Sequence, residues 1–172
     1  MFEGSSGSIS TVCTGGAPSS VFSPETREEL EKAVDVCLDY LEIGDATSCP
    51  QGPMSEWAVS RITNMSNLFK EELLFNGDIS EWDVSRVKKM RYLFQGAQHF
   101  QCNISKWDVS RVNDMSYMFD CAELFDANLS KWNVSLMNSM FWNAQMFEQT
   151  LCGASWVASP LSGCYHVLLS IS

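Results

Sequence analysis

Three kinds of side chain in this 172-residue chain have types and spacings that could do chemistry: neighbouring carboxylates, cysteines with histidines, and short polar residues at regular intervals. The carboxylates are Glu71-Glu72, and Asp78 near Glu81. General acid–base work needs two such groups converging on one substrate atom with their affinities for protons pushed apart. Charged pairs in a connection between repeats are instead read as solvated surface. Cys13, Cys37, Cys49, Cys102, Cys121, Cys152 and Cys164 form an odd set, so at least one has no partner within the chain. None stands in a C-x-x-C pair, and His99 and His166 lie at no metal-ligand spacing. The thiols are therefore either buried and acting as small apolar residues, or joined in one or two disulfides, with Cys37–Cys49 the most local pair. No Gly-rich phosphate loop, nucleophile elbow or His-Glu-x-x-His is present. Catalysis, a metal and a cofactor are not expected.

The polar residues make sense only within a repeat. Trp57, Trp82, Trp107 and Trp132 are each 25 residues apart, inside Glu-Trp-Ala-Val-Ser, Glu-Trp-Asp-Val-Ser, Lys-Trp-Asp-Val-Ser and Lys-Trp-Asn-Val-Ser. Met65, Met90, Met115 and Met140 keep the same interval, as do Phe69, Phe94 and Phe119, then Phe75, Phe100 and Phe125. The fourth unit departs from it: Phe141 follows Trp132 by nine residues, so three have been lost. A fixed period of this length marks stacked supersecondary units.

Two local patterns define the expected elements. Val87, Met90, Phe94 and Ala97, like Val112, Met115, Phe119 and Ala122, are spaced 3, 4 and 3, which predicts one face of a short helix. Ser85 and Ser110 stand where such a helix wants a capping hydroxyl. Phe100, Cys102 and Ile104 alternate with polar neighbours, as do Phe125, Ala127 and Leu129, which predicts a short strand. The Trp falls in a bend that returns its ring inward. One unit cannot bury its own apolar face, whereas stacked copies can, at about 1.5–3 kcal/mol for each large side chain. The expected fold is α/β: a leucine-rich-repeat-like solenoid of 25-residue strand–helix repeats, with a parallel sheet on one side.

The expected organisation has four parts. Residues 1–21, rich in Gly, Ser and Thr, form a flexible segment, or the tail of an upstream array whose targeting signal lies further upstream. Residues 22–50 hold an N-terminal capping helix and its connection: Ser23-Pro24 signals a start, and Leu30, Val34, Cys37 and Leu41 mark a stripe running to about Ile43. The repeats occupy 51–156. A degenerate tail, 157–172, ends in His166-Val-Leu-Leu, read as either a capping strand or an unstructured remnant.

Charge narrows the partners. The formal net charge is −10, and from Glu25 to Asp45 eight acids face two bases, while from Glu56 to Trp156 twelve acids face nine bases. Such a balance disfavours nucleic acid. No apolar run reaches the ~18 residues of a membrane span, and the N-terminus has neither the basic nor the apolar stretch of a signal peptide.

The motif Trp-Asp-Val-Ser-Arg-Val-x-x-Met, followed by Tyr-Met/Leu-Phe and then Phe-x-x-x-Ile-Ser-x-Trp, resembles the 25-residue "surface protein" repeat of Mycoplasma-type lipoproteins. That family is also abundant in marine bacteria and unicellular algae, carries no established function, and is grouped with the leucine-rich-repeat superfamily. The resemblance covers Trp57 to Trp156 and implies cell-surface display, adhesion, and contact with protein or glycan. Ala58 in place of Asp, and the shortened fourth unit, depart from it.

The outward residues of the expected strands form a polar ladder, and the candidate ligand face is Asn76, Asp78, Gln101, Asn103, Asp126 and Asn128. Binding of an unidentified protein or glycan there is the leading expectation, with a structural spacer in a larger surface protein as the alternative. Asn64-Met-Ser, Asn103-Ile-Ser, Asn128-Leu-Ser and Asn133-Val-Ser match the N-glycosylation pattern, although the repeat itself requires Asn and Ser at these places.

Overall fold

The computed structural model describes residues 21–42, 49–132, 140, 141, 144, 150–152 and 164–166. Residues 1–20, 43–48 and most of 133–172, with them the N-terminal segment, Ile43, Asn133 and Trp156, lie outside the described residues.

One α-helix, α1 (Arg27–Glu42), precedes the repeats. Its start is Thr26 rather than Ser23: the Thr26 hydroxyl accepts the Glu29 amide (3.2 Å), and the Glu29 carboxylate accepts the Glu25 amide (2.8 Å). This reciprocal arrangement resembles a capping box. Ser23 instead donates its hydroxyl to Ala58 O (3.4 Å). Leu30, Ala33, Val34 and Cys37 are buried, while Glu28, Glu29, Asp35 and Asp39 face solvent. Arg27 reaches Ser66 O (2.8 Å) and pairs with Glu31, and a Cys37–Cys49 disulfide ties the helix to the chain entering the first unit. Asp35 has its pKa raised by burial and then by the nearby Glu31 and Asp39 carboxylates.

The units run 57–81, 82–106 and 107–131, with a fourth from Trp132. Their interior is two columns of aromatic rings. Phe69, Phe94, Phe119 and Phe141 stack at 5.6, 5.6 and 5.5 Å, and Phe75, Phe100 and Phe125 at 5.8 and 5.6 Å. Within a unit the two rings lie about 4.0 Å apart. Phe141 thus takes the place that an unshortened unit would give to residue 144, and Ala144, buried, sits three beyond it as Ala97 does from Phe94. Phe119 N donates to Met140 O (2.9 Å) as Phe94 N does to Met118 O, so the three residues are lost between Trp132 and Met140 and the column continues.

The indoles are the third column. Trp82, Trp107 and Trp132 are buried, and each indole N–H donates to a carbonyl 28 residues earlier: Met54 O (2.7 Å), Ile79 O (3.2 Å) and Ile104 O (3.3 Å). Those same carbonyls accept the amides of Trp57, Trp82 and Trp107. A carbonyl has two lone pairs, so one oxygen closes the turn that leads into one Trp and anchors the ring of the next.

The α/β, leucine-rich-repeat-like solenoid of strand–helix repeats does not form. Among the described residues 51–132 there is neither an α-helix nor a strand; the only helical piece is a 3₁₀ turn at Met54–Glu56. Where a helix was expected, the backbone makes consecutive turns. Leu93 N bonds Met90 O, Gln95 N bonds Tyr92 O, and Ala97 N bonds Phe94 O. The intervening amides cross to the next unit: Met90 N to Asp114 O (2.8 Å), Tyr92 N to Ser116 O (3.1 Å), Phe94 N to Met118 O (2.9 Å) and Gly96 N to Asp120 O (2.7 Å). An α-helix would keep all these bonds to itself, and one of this length is unstable alone. Chains of tight turns bury Met90, Leu93, Phe94 and Ala97 at the same spacing, which is why the pattern reads as helical.

The expected strands fail for a complementary reason. Around Ile79, Ile104 and Leu129, the amides of Ser80, Ser105 and Ser130 donate to Asp78, Asn103 and Asn128 side chains two residues back (3.0–3.1 Å). Local Asx turns of this kind compete with a ladder. Among the described residues, β-type pairing between units is confined to isolated parallel bridges, Asn64↔Lys89 and Lys89↔Asp114. Ser85 and Ser110, expected as helix caps, close the same kind of turn on Asp83 and Asp108. Ala58 cannot, and in its place the N-terminal segment covers the first unit: Ala58 N donates to Phe22 O (2.9 Å), and the Phe22 ring meets Trp57 edge-on. Beyond the units, β1 (Thr150–Cys152) pairs antiparallel with β2 (Cys164–His166).

The turns impose left-handed backbone at Asn67, Tyr92 and Tyr117, and again at Glu71, Gly96 and Cys121. In an i→i+3 turn this is the position that favours Gly or Asn. A Cβ on Gly96, at φ +73°, would also meet Glu71 Oε2 at 3.2 Å and its Cα at 3.4 Å. Gly96→Ala is expected to lower the unfolding free energy by about 1–2 kcal/mol, and Glu71→Gly to raise it by up to about 1 kcal/mol; urea titration of the two variants gives both signs. Reducing the Cys37–Cys49 bond is expected to cost about 2–3 kcal/mol, from the entropy of its 12-residue loop. Thermal melts with and without reductant would read this as a lower midpoint.

Candidate functional site

The turns that replace the strands carry the polar ladder. Buried Phe75, Phe100 and Phe125 at one end, and Ile79, Ile104 and Leu129 at the other, pin each stretch to the core. Asn76, Asp78, Gln101, Asn103, Asp126 and Asn128 are all exposed. Gln101, Asn103, Asp126 and Asn128 come together with Ser105, Leu124 and Ala127 around an open groove of about 350 Å3 between the second and third units. Asn76 and Asp78 lie outside it. The Asn76 side-chain oxygen accepts the Gln101 amide (2.9 Å), a 25-residue link that holds the rung at the groove's edge.

The wall that sequence reasoning missed is Leu124. It is 37% exposed, and its counterparts one and two units earlier are His99 and Leu74, the latter 72% exposed. Its register with two surface positions was the available signal; an apolar residue beside Phe125 reads by default as core. His99 is held by Leu73, whose carbonyl meets both its amide (3.1 Å) and its Nδ1 (3.0 Å). The groove therefore offers amide, carboxylate and hydroxyl groups against one apolar wall.

Asp78 illustrates the electrostatics. Its carboxylate accepts the Ser80 amide and hydroxyl (3.0 and 2.8 Å), and these bonds, the amide first, hold its pKa below the usual carboxylate range. Asp83 and Asp108 are lowered likewise by the hydroxyl and then the amide of Ser85 and Ser110. The Cys102 thiol lies 3.8 Å from Asp78, and burial raises its pKa above that of an ordinary thiol. Glu71, Glu72, Asp78 and Glu81 do not line this groove. Among the described residues no group of His, Cys, Asp and Glu could hold a metal ion. No helix there is long and apolar enough to cross a membrane.

The class these features define is a stack of turn-built units with a polar face. The family described as Mycoplasma protein of unknown function, DUF285, matches residues 43–158, and the chain belongs to it. Neither a curated protein nor a solved structure matches the chain.

A carboxylate with a depressed folded pKa contributes stability above its unfolded pKa, near 4, and loses it as pH falls through the folded value. Asn64, Asn103 and Asn128 close the same turns without a titrating group. Replacing Asp78, Asp83 and Asp108 by Asn is therefore expected to leave the neutral-pH melting midpoint nearly unchanged. The drop in midpoint between about pH 5 and 3 should shrink. Equal acid sensitivity in the two proteins would contradict this account.

Proposed function

We propose that the chain is a non-catalytic binding module of a cell-surface protein, contacting a protein or glycan through the groove of Gln101, Asn103, Asp126 and Asn128. The observation that carries this reading is the groove itself: Asn103 and Asn128, held by their turns, with Gln101 and Asp126 over the aromatic core and the exposed Leu124 beside them. Preset polar groups lose little conformational freedom on binding. A surface location draws support from the Cys37–Cys49 disulfide, a bond that persists in oxidising compartments, and from the resemblance of the 25-residue unit to surface-protein repeats.

Gln101→Arg places a bulky cation in the groove from an exposed position without touching the core. Screened on glycan and extracellular-protein arrays, the native chain is expected to yield ligands whose affinity falls by about tenfold in this variant, with an unchanged melting midpoint. Ligands that bind both proteins equally would exclude the groove, and a chain with no ligand would return the spacer reading. Intact-mass measurement on native material is a second check, since glycans occupying both Asn103 and Asn128 would obstruct the face.

A further inference from the structure

The second unit carries a charge pattern that its fold does not require. Arg86-Val-Lys-Lys-Met-Arg91 places four cations in six residues, with no acid among them. The same stretch reads Arg61-Ile-Thr-Asn-Met-Ser in the first unit and Arg111-Val-Asn-Asp-Met-Ser in the third. Backbone bonds set these stretches side by side: Lys88 N to Thr63 O (2.8 Å), Asn113 N to Lys88 O (2.9 Å), and Lys89 bridged to Asn64 and Asp114. Thr63 and Asn113 occupy the Lys88 position, and Ser66 and Ser116 that of Arg91, so turns and core form equally well without the cations.

Arg86, Lys88, Lys89 and Arg91 are exposed, and no ion pair joins any of them to an acid among the described residues. Arg27, Arg61 and Lys106 are by contrast paired with Glu31, Glu25 and Glu81, and Lys70 has a long, exposed contact with its neighbour Glu71 (3.9 Å). One carboxylate, Asp114, lies close enough to act on Arg91. Beside the cations stand two half-exposed tyrosines, Tyr92 and Tyr117, with rings 5.3 Å apart, where the first unit has Asn67. The Arg91 guanidinium lies 4.6 Å from the Tyr92 ring and donates to its hydroxyl (2.8 Å), and Lys70 Nζ is 5.6 Å from the same ring.

We propose that this ridge, Lys88, Lys89 and Arg91 with Lys70 and the Tyr92–Tyr117 pair, binds an anionic polysaccharide bearing carboxylate or sulfate groups. The cations meet the anions, and the tyrosine hydroxyls with Ser66, Asn67, Asn113 and Ser116 offer partners for sugar hydroxyls. A chain of net charge −10 repels a densely charged polymer such as DNA, whereas a sparsely charged one can engage the ridge alone. This surface belongs to a different stretch of the unit from the groove and does not depend on it.

The test uses the full chain, with hyaluronate and κ-carrageenan as probes, which carry one carboxylate or one sulfate per disaccharide, and polyglutamate and duplex DNA as comparisons, by calorimetric titration at low and physiological salt. The variant Lys88→Thr/Lys89→Asn/Arg91→Ser installs the first unit's own residues, and its melting curve verifies folding. Expected are binding of at least one polysaccharide, weakening with salt, and a loss of about tenfold in the triple variant, the scale of three exposed charge contacts. Tyr117→Asn should weaken binding further while leaving all charges in place. The proposal is overturned if neither polysaccharide binds, if the folded variant binds as well as the native chain, or if polyglutamate or DNA binds as tightly as either polysaccharide.

Discussion

The structure depends on a buried indole N–H that has to find an acceptor. Trp82, Trp107 and Trp132 lie in the interior, where an unpaired donor costs about 1–3 kcal/mol. Each finds its acceptor in a turn carbonyl 28 residues earlier, an oxygen already engaged by the amide of the preceding unit's Trp. A slip of one residue would orphan the donor and misplace the ring. Register between units is thus set by a hydrogen bond that only the correct stacking can make, and the phenylalanine columns follow from it.

A second constraint divides the backbone's bonding capacity. Every other amide from Met90 to Gly96 is committed to the next unit, and most of those between close local turns. The stretch is therefore neither helix nor strand, yet six of its seven amides have backbone acceptors. The cost is left-handed backbone at Tyr92, Tyr117, Glu71 and Cys121, residues with a Cβ at positions suited to glycine. Gly96 and Asn67 are the residue types suited to it. Neighbouring units hold each other in this conformation, since the crossing bonds flank the strained positions.

Because core and turns take up the recurring residues, the remaining positions are free to differ between units. The groove and the basic ridge both lie at such positions. Gln101, Asn76 and Asp126 share one register but differ in chemistry, and Lys88 stands between Thr63 and Asn113. The Asx turns also fix how these side chains are presented. Asp78, Asn103 and Asn128 each use one oxygen inward, on a serine amide, and are thereby held in place at the surface.

Much was legible without coordinates. The interval between tryptophans, the burial of Met90, Phe94, Phe100 and Ile104, and the exposure of Asn76, Asp78, Gln101, Asn103, Asp126 and Asn128 all follow from period and hydropathy, because burial depends on which side chains are apolar and how often they recur. What the period could not distinguish was how the chain turns between those residues. Spacings of 3 and 4 arise equally from one helical turn and from successive i→i+3 turns, and alternation arises from any extended segment. The choice lay with bonds to residues 24 to 28 positions away, such as Phe94 N to Met118 O and the Trp107 indole to Ile79 O. Those bonds exist only once the units are stacked, so the tertiary structure alone decided between helix, strand and turn, and brought Leu124 to the groove.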